Sequence, residues 1–159
     1  MKHLTSILFI LINFFSFSQD ITGFTIISNK NYYVPEADNI SLSDGKNEEK
    51  SNEKNIFSFS FNDSVFIHTP INKDDVISQV YKITSVFSKQ EQNGVYMYLI
   101  NIQSGLSGNY YTYYVVFNGS DLRFTQLYDI SDESEEKLTC SGVRFEKLTH
   151  TLIRPYEKL

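Results

Sequence analysis

The stretch from Val95 to Tyr128 constrains the fold more than any other part of the chain. It contains three runs of about eight residues rich in Tyr, Val, Ile and Phe, separated by Gly-containing turns at 104–109 and 118–120. Such residues favour strands, and the Asn-Gly pairs at 93–94 and 118–119 adopt a positive φ at little cost. The stretch therefore predicts an antiparallel meander, with a fourth strand before Asn93.

The turns also predict which residues share a face of this meander. A two-residue turn at 93–94 places Phe87 opposite Ile100, and the next hairpin places Ile102 opposite Tyr111. Because side chains alternate along strands, one face collects the residues expected to form the core. They are Tyr81, Ile83, Phe87, Tyr96, Tyr98, Ile100, Ile102, Tyr111, Tyr113, Val115, Phe117, Leu122, Phe124 and Tyr128.

Tyrosine is unusually frequent on this predicted core face. A buried hydroxyl without a partner costs about 1–3 kcal/mol. We therefore expect several hydroxyls to reach a barrel mouth, ordered water or a bound polar group. On the opposite face, the candidate ligand-binding residues are Tyr110, Tyr114 and Arg123, as an outer contact patch. The competing interpretation of these three is ordinary packing over a twisted sheet.

The first nineteen residues, MKHLTSILFILINFFSFSQ, have a basic start, an apolar middle and a polar end. This pattern is typical of a secretory signal peptide, with a buried strand or an uncleaved anchor as alternatives. It predicts a secreted or periplasmic protein with one all-β domain over residues 20–159. No stable membrane span is expected after removal of the signal segment, because the apolar part is short.

The rest of the chain adds further strands to the meander. Phe57, Phe59 and Phe61 alternate with serines, and a three-residue turn at 62–64 would bring Val65 and Ile67 onto their face. The remaining predictions are a first strand at 20–28, loops at 29–38, 44–55 and 129–137, and a last strand at 138–148 bent at Gly142. About eight antiparallel strands result, which we expect to close into a small barrel or a sandwich.

This strand pattern resembles the up-and-down architecture of lipocalins and fatty-acid-binding proteins. Lipocalins carry a Gly-x-Trp signature near the first strand. This chain has no Trp, and Thr22-Gly23-Phe24 occupies the corresponding place. The resemblance is one of pattern alone, and it implies a barrel whose interior is filled by side chains or holds one small ligand.

Several kinds of chemistry receive no support from the sequence. A net charge of −5 without a basic stripe argues against nucleic-acid binding. The single cysteine, Cys140, cannot form an internal disulfide, and its apolar neighbours favour a core position. There is no nucleophile elbow, Walker loop, zinc motif or dinucleotide fingerprint. We therefore predict no cofactor and no catalytic residues.

Two groups of residues are candidates for chemistry, one for catalysis and one for metal binding. His68 and His150 are expected to be structural or surface histidines that form no catalytic pair. The acidic residues of 129–136 could ligate calcium, but they lack the order of a dedicated loop. A solvated acidic loop is the preferred interpretation, and no metal site is predicted.

Three functions remain open at this point. The leading hypothesis is an exported, non-enzymatic, barrel-like binding domain for a small apolar ligand or a protein partner. The alternatives are an enzyme or enzyme inhibitor acting through loops at one end, and a structural accessory of the cell envelope without a ligand.

Overall fold

The computed structural model describes residues 21–38, 40, 42, 49–72, 76–91, 93–134 and 137–154. Within these residues lie eleven β-strands and no helix, so the predicted all-β class is confirmed. The signal segment predicted at 1–19 lies outside them. The strands are β1 (Gly23–Ser28), β2 (Lys30–Ala37), β3 (Glu49–Ser51), β4 (Lys54–Ser60), β5 (Val65–Ile71), β6 (Gln79–Gln90), β7 (Tyr96–Ser104), β8 (Tyr110–Asn118), β9 (Asp121–Ser134), β10 (Lys137–Glu146) and β11 (Thr149–Ile153).

All eleven strands belong to one antiparallel sheet. Their order is β11-β1-β4-β5-β6-β7-β8-β9-β10-β2-β3, so β4 to β10 form the predicted meander. The order has two ends, β11 and β3, and it does not confirm the predicted closure into a barrel. A sandwich of two sheets is not confirmed either, because every strand belongs to the same sheet.

Three interruptions explain why eleven strands are present rather than about eight. Asn29 alone separates β1 from β2, two residues separate β3 from β4, and two more separate β10 from β11. The pairing of β1 with β11 and the pairing of β2 with β10 keep one antiparallel register across the interruptions. We call this continuous pairing of β1–β2 with β10–β11 the seam.

The seam corrects two predicted loops. Residues 29–38 are not a loop, because β2 pairs with β10 over most of its length, and Pro35 lies where the register shifts. Residues 129–134 are not a loop either, because β9 continues to Ser134, which pairs with Lys137 at the start of β10. Both segments lack clear alternation, so the pairing partner rather than the local pattern makes them strands. The bend predicted at Gly142 is confirmed as a shift in register.

The two later hairpins of the meander have the predicted register. Ile102 lies opposite Tyr111, and Phe117 lies opposite Leu122. Their inward side chains join residues from β1, β4, β5 and β10 in one buried group, which we call the inner cluster. Its buried members are Phe24, Ile26, Phe57, Phe59, Phe66, Ile83, Tyr98, Ile100, Ile102, Tyr113, Val115, Phe117, Phe124 and Phe145.

The first hairpin differs from the prediction by one residue. Glu91 and Val95 pair across three intervening residues, so Phe87 lies opposite Leu99 and not opposite Ile100. A bulge between Ile83 and Ser85 shifts the register by one more residue, so Ile83 lies opposite Ile102 and faces inward, as predicted. Phe87 therefore points outward and is 66% exposed, whereas Ile83 stays in the core.

A second, smaller group of buried residues lies on the outer face of the sheet. This outer cluster consists of Val34, Ala37, Leu42, Leu127 and Cys140. Leu42 follows β2 in a left-handed conformation, and its carbonyl accepts a 2.8 Å hydrogen bond from Arg144. A Cβ at Gly142 would lie 3.0 Å from Leu42 Cδ1 and 2.1 Å from a backbone oxygen, so only glycine fits there. The predicted core position of Cys140 is confirmed.

Candidate binding site at a cluster of tyrosines

A layer of aromatic rings forms the floor of the candidate site. Phe57 on β4 lies 4.7 Å from Phe124 on β9 and 4.7 Å from Phe145 on β10, measured between ring centroids. Phe66 on β5 lies 5.1 Å from Tyr113 on β8, and Tyr113 stacks on Phe124 at 5.4 Å. Rings at these separations are in contact, so the layer is filled by its own side chains.

Four more tyrosines surround the end of this layer. Tyr81 and Tyr111 are half-buried, and their rings meet edge to face at 5.9 Å. Tyr33 and Tyr128 are exposed, and their rings lie 6.3 Å apart. We call these four residues together with Tyr113 the tyrosine mouth. The seam creates part of it, because β2 carries Tyr33 and β9 carries Tyr128 on either side of β10.

Tyr113 differs from the other members because it is almost entirely buried. The residue is 3% exposed, and its hydroxyl makes no hydrogen bond with any residue that the structure describes. Burial raises the pKa of this phenol well above its usual value, and the neighbouring Tyr81, Tyr128 and Tyr111 raise it further. The Tyr113 hydroxyl is therefore neutral and lies close to three others of the mouth.

His68 lies beside the mouth, a position that was not predicted from the sequence. His68 stacks on Phe57 with ring centroids 4.6 Å apart, and its Nε2 lies 2.9 Å from Oδ1 of the buried Asn55. Because the amide oxygen accepts, the ring N–H at Nε2 donates this bond. Burial lowers the pKa of His68 from 6.5 to about 4, so the ring is neutral at pH 7.

The position of His68 follows from a turn of four residues rather than three. Ser60 pairs with Val65, so Phe66 and His68 point inward, and Val65 and Ile67 point outward. A turn of three residues would have placed Val65 and Ile67 on the phenylalanine face. That turn is not formed, so this placement is wrong. Ser64 has a φ of 54°, and the hydroxyl of Ser60 donates to the Asp63 carboxylate. The polar Asp63-Ser64 pair after Phe61 was the signal for the longer turn.

The remaining polar groups at the mouth are neutral amides. Gln79 lies opposite His68 and accepts a hydrogen bond from the Tyr81 hydroxyl. Gln126 lies opposite Tyr113 and therefore shares its face. Among the described residues, only tyrosines shift the pKa values of Tyr81, Tyr113 and Tyr128 by their charge. The polar groups that the structure describes at the mouth are therefore uncharged at pH 7.

The loops at this end of the sheet expose apolar side chains. Val76 and Ile77 precede β6, and Leu106 lies in the β7–β8 loop. Tyr81 pairs with Ser104, so the loop before β6 and the loop after β7 lie at the same end of the strands. Exposed apolar side chains rimmed by polar residues are common at binding sites.

The three residues proposed as an outer contact patch are only partly brought together. Burial raises the pKa of Tyr114, and the charge of Arg123 lowers it by a smaller amount. This effect places Arg123 near Tyr114. The Tyr114 hydroxyl donates to Met97 Sδ at 3.4 Å, and its ring packs on the outer cluster. Tyr110 lies four residues away at the start of β8 and is 68% exposed.

His68 and His150 are not neighbours. They occupy one row across four strands, with Phe57 and Ile26 between them, which separates their backbones by about 14 Å. His150 packs on Phe117 and lines an open pocket of about 370 Å³. Ser120 and Asp121 also line this pocket, but in the described part of the chain no hydrogen bond joins them to His150.

The described residues contain no group of three or more His, Cys, Asp or Glu that could hold a metal ion. The acidic side chains of 129–136, which were weighed as calcium ligands, lie outside what the structure describes.

Comparison with known proteins provides no relative. No family model, curated protein or solved structure matches the chain. The resemblance to lipocalins in strand pattern therefore receives no support from these searches. In the described residues, no helix has the length and apolar character needed to cross a membrane.

Proposed function

We propose that this protein is an exported, non-enzymatic binding domain whose binding site is the tyrosine mouth. The observation that carries the proposal is the hydroxyl of Tyr113, which makes no hydrogen bond within the described chain although the residue is only 3% exposed. Among the described residues, no side-chain nitrogen or oxygen is both buried and unpaired, so this hydroxyl keeps access to solvent at the mouth and can take a hydrogen-bond partner there. A ligand that enters the mouth would supply that partner.

The proposal includes a barrel-like curvature of the sheet. Its support is the seam, which links β1 and β2 to β10 and β11 in one register. Further support comes from Phe24 on β1, whose ring lies 5.2 Å from that of Phe117 on β8, although four strands lie between them in the sheet order. Such curvature gives the inner cluster two ends, and the tyrosine mouth occupies one of them.

The ligand is placed at the mouth rather than within the inner cluster. Phe59 and Phe66 stack at 4.5 Å, and Phe57 lies 4.7 Å from Phe124, so the rings below the mouth already contact one another. Aromatic packing at this density offers a small apolar molecule no space without displacing a ring. The mouth itself is open, because Tyr33 and Tyr128 are exposed.

Ring-labelled tyrosine provides a direct test of this site. The purified chain, carrying ¹³C-labelled tyrosine rings, would be titrated with a library of small polar and apolar fragments and followed by NMR. We expect binding fragments to shift the signals of Tyr81, Tyr111 and Tyr113. Signals of Tyr96 and Tyr110, which lie outside the mouth, act as internal controls. Fragments that shift only the control signals, or none at all, would overturn the proposal.

Export is a separate part of the proposal and rests on the pattern of residues 1–19. We expect the mass of protein recovered from the medium or the periplasm to lack this segment. An intact Met1 in exported material would contradict it.

A protein partner on the outer face is the second candidate function. The observation in its favour is Phe87, which is 66% exposed and lies in one row with Leu99 and Tyr114. An exposed aromatic beside apolar neighbours is typical of contact surfaces. Loss of a captured partner in the Phe87→Ser variant, with retention in Tyr111→Ala, would favour this candidate over the mouth.

A further inference from the structure

The tyrosine mouth combines aromatic faces with neutral hydrogen-bonding groups, and this combination selects a class of ligand. Tyr33, Tyr81, Tyr111 and Tyr128 present rings whose contacts with one another leave part of each ring accessible. A tyrosine ring offers an apolar surface and a hydroxyl at its edge. A ligand that uses both parts needs an apolar face and several hydrogen-bonding groups.

The electrostatics of the mouth argue against a charged ligand. His68 is neutral at pH 7, and Gln79 and Gln126 carry amides. In the part of the chain that the structure describes, no basic or acidic side chain contributes to the shifted pKa values of Tyr81 and Tyr113. A charged ligand would lose its hydration here without gaining a counter-charge.

A purely apolar ligand is also disfavoured. It would cover the Tyr113 hydroxyl, which has no hydrogen-bond partner in the described chain, and would remove its remaining access to water. The Tyr81 hydroxyl already donates to Gln79, so its lone pairs are available to accept from a ligand. The best-matched ligand is neutral and carries hydroxyls around a ring with apolar C–H faces.

We propose that the tyrosine mouth binds an uncharged saccharide unit, with one sugar face against the tyrosine rings and a sugar hydroxyl bonded to Tyr113. This inference rests on the proposed function and specifies its ligand. The amides of Gln79 and Gln126 flank the same space and provide further donors and acceptors for hydroxyl groups.

The test uses neutral oligosaccharides of glucose, galactose and N-acetylglucosamine as probes, each up to about 10 mM, with affinity measured by calorimetry. The full chain should bind at least one of them. Tyr113→Phe removes only the hydroxyl, and a lost hydrogen bond of ordinary strength predicts about tenfold weaker binding. Tyr111→Ala removes a ring of the mouth and should abolish detectable binding. Tyr96→Phe also removes only a hydroxyl, one that accepts from Gln90 outside the mouth, so this matched control should bind as the unaltered chain does.

The outcomes separate this inference from the proposed function. If glucosamine or glucuronate oligomers bind more tightly than the neutral probes, the inference of a neutral ligand is wrong, although the site remains. If no saccharide binds but other fragments shift the labelled Tyr113 signal, the ligand class is wrong and the proposed function stands. Saccharide binding that is unaffected by both Tyr113→Phe and Tyr111→Ala would overturn both.

Discussion

The inner and outer clusters bury apolar side chains on opposite faces of the same strands, yet they are held in different ways. The inner cluster is assembled from alternate residues of β1 and of β4 to β10, which all contribute to one continuous core. The outer cluster depends on Ala37 and Leu42, which pack with Leu127 and Cys140 on the outer face of β9 and β10. A residue in the first has many supporting neighbours, whereas a residue in the second has few.

The same comparison explains why the two faces of β7 differ less than expected. Ile100 and Ile102 lie in the inner cluster with no exposure, as predicted. Leu99 on the opposite face is nevertheless half-buried, because it packs against the outer cluster. One face is buried by contacts among the inward side chains of many strands, and the other by contacts with the outer cluster.

The largest effect is expected from truncation in the inner cluster. Phe57 contacts the rings of Phe66, Tyr113, Phe124 and Phe145, so Phe57→Ala leaves a cavity that its neighbours can fill only partly. We expect a loss of about 3–5 kcal/mol in the free energy of unfolding. Urea denaturation followed by tyrosine fluorescence measures it. A loss below about 1 kcal/mol would mean that the ring layer is not the centre of the core.

A pH-dependent effect is expected at the edge of the inner cluster. The folded protein holds His68 neutral with a pKa of about 4, whereas the unfolded chain protonates it near 6.5. The unfolded state therefore binds more protons between these values, and stability falls as the pH is lowered from 7 to 4. The expected loss from this residue is about 3 kcal/mol.

His68→Gln provides the comparison, because glutamine can still donate to Asn55 and does not titrate. Denaturation midpoints at pH 7 and pH 4 should show a smaller decline for the variant than for the unaltered chain. Equal declines in both proteins would show that burial of His68 does not control this part of the pH dependence.

A smaller loss is expected in the outer cluster. Leu42→Ala should cost about 2 kcal/mol, at the low end for buried leucines, because the few neighbours of Leu42 can adjust. Hydrogen exchange should accelerate in β2 and β10 near Gly142 while the inner strands stay protected. Leu106→Ala, at a fully exposed position, is the matched control and should change neither measurement. A loss as large as that of Phe57→Ala would remove the distinction between the two clusters.

The smallest effect is expected at the position where the predicted register was wrong. Phe87 points outward, so Phe87→Ser should change the free energy of unfolding by no more than about 0.5 kcal/mol. With the originally predicted register, the same change would place a hydroxyl in the core and cost several times more. Thermal denaturation of the variant distinguishes the two registers.

The face assignments that failed share a feature, which is that the turn is one residue longer than predicted. The turn between β6 and β7 has three residues, between Glu91 and Val95, rather than the predicted two. The turn between β4 and β5 has four residues, between Ser60 and Val65, rather than three. A shift of one residue exchanges the two faces of a strand, so Phe87 moved out and His68 moved in. Tyr114 and Arg123 were predicted on the correct face. For the tyrosine mouth, the sequence predicted that hydroxyls reach an end of the core, but not which tyrosines meet there.

The amino-acid sequence by itself determined the all-β class and the inner face of β7, β8 and β9, because alternation of side chains and the turn at Asn118-Gly119 are properties of neighbouring residues. Only the tertiary structure decided the pairing of β2 with β10, the bulge between Ile83 and Ser85, and the placement of Leu42 over the outer face. These features depend on contacts between segments far apart in the chain. For the same reason, the approach of Tyr33 to Tyr128 could not be predicted from either strand alone.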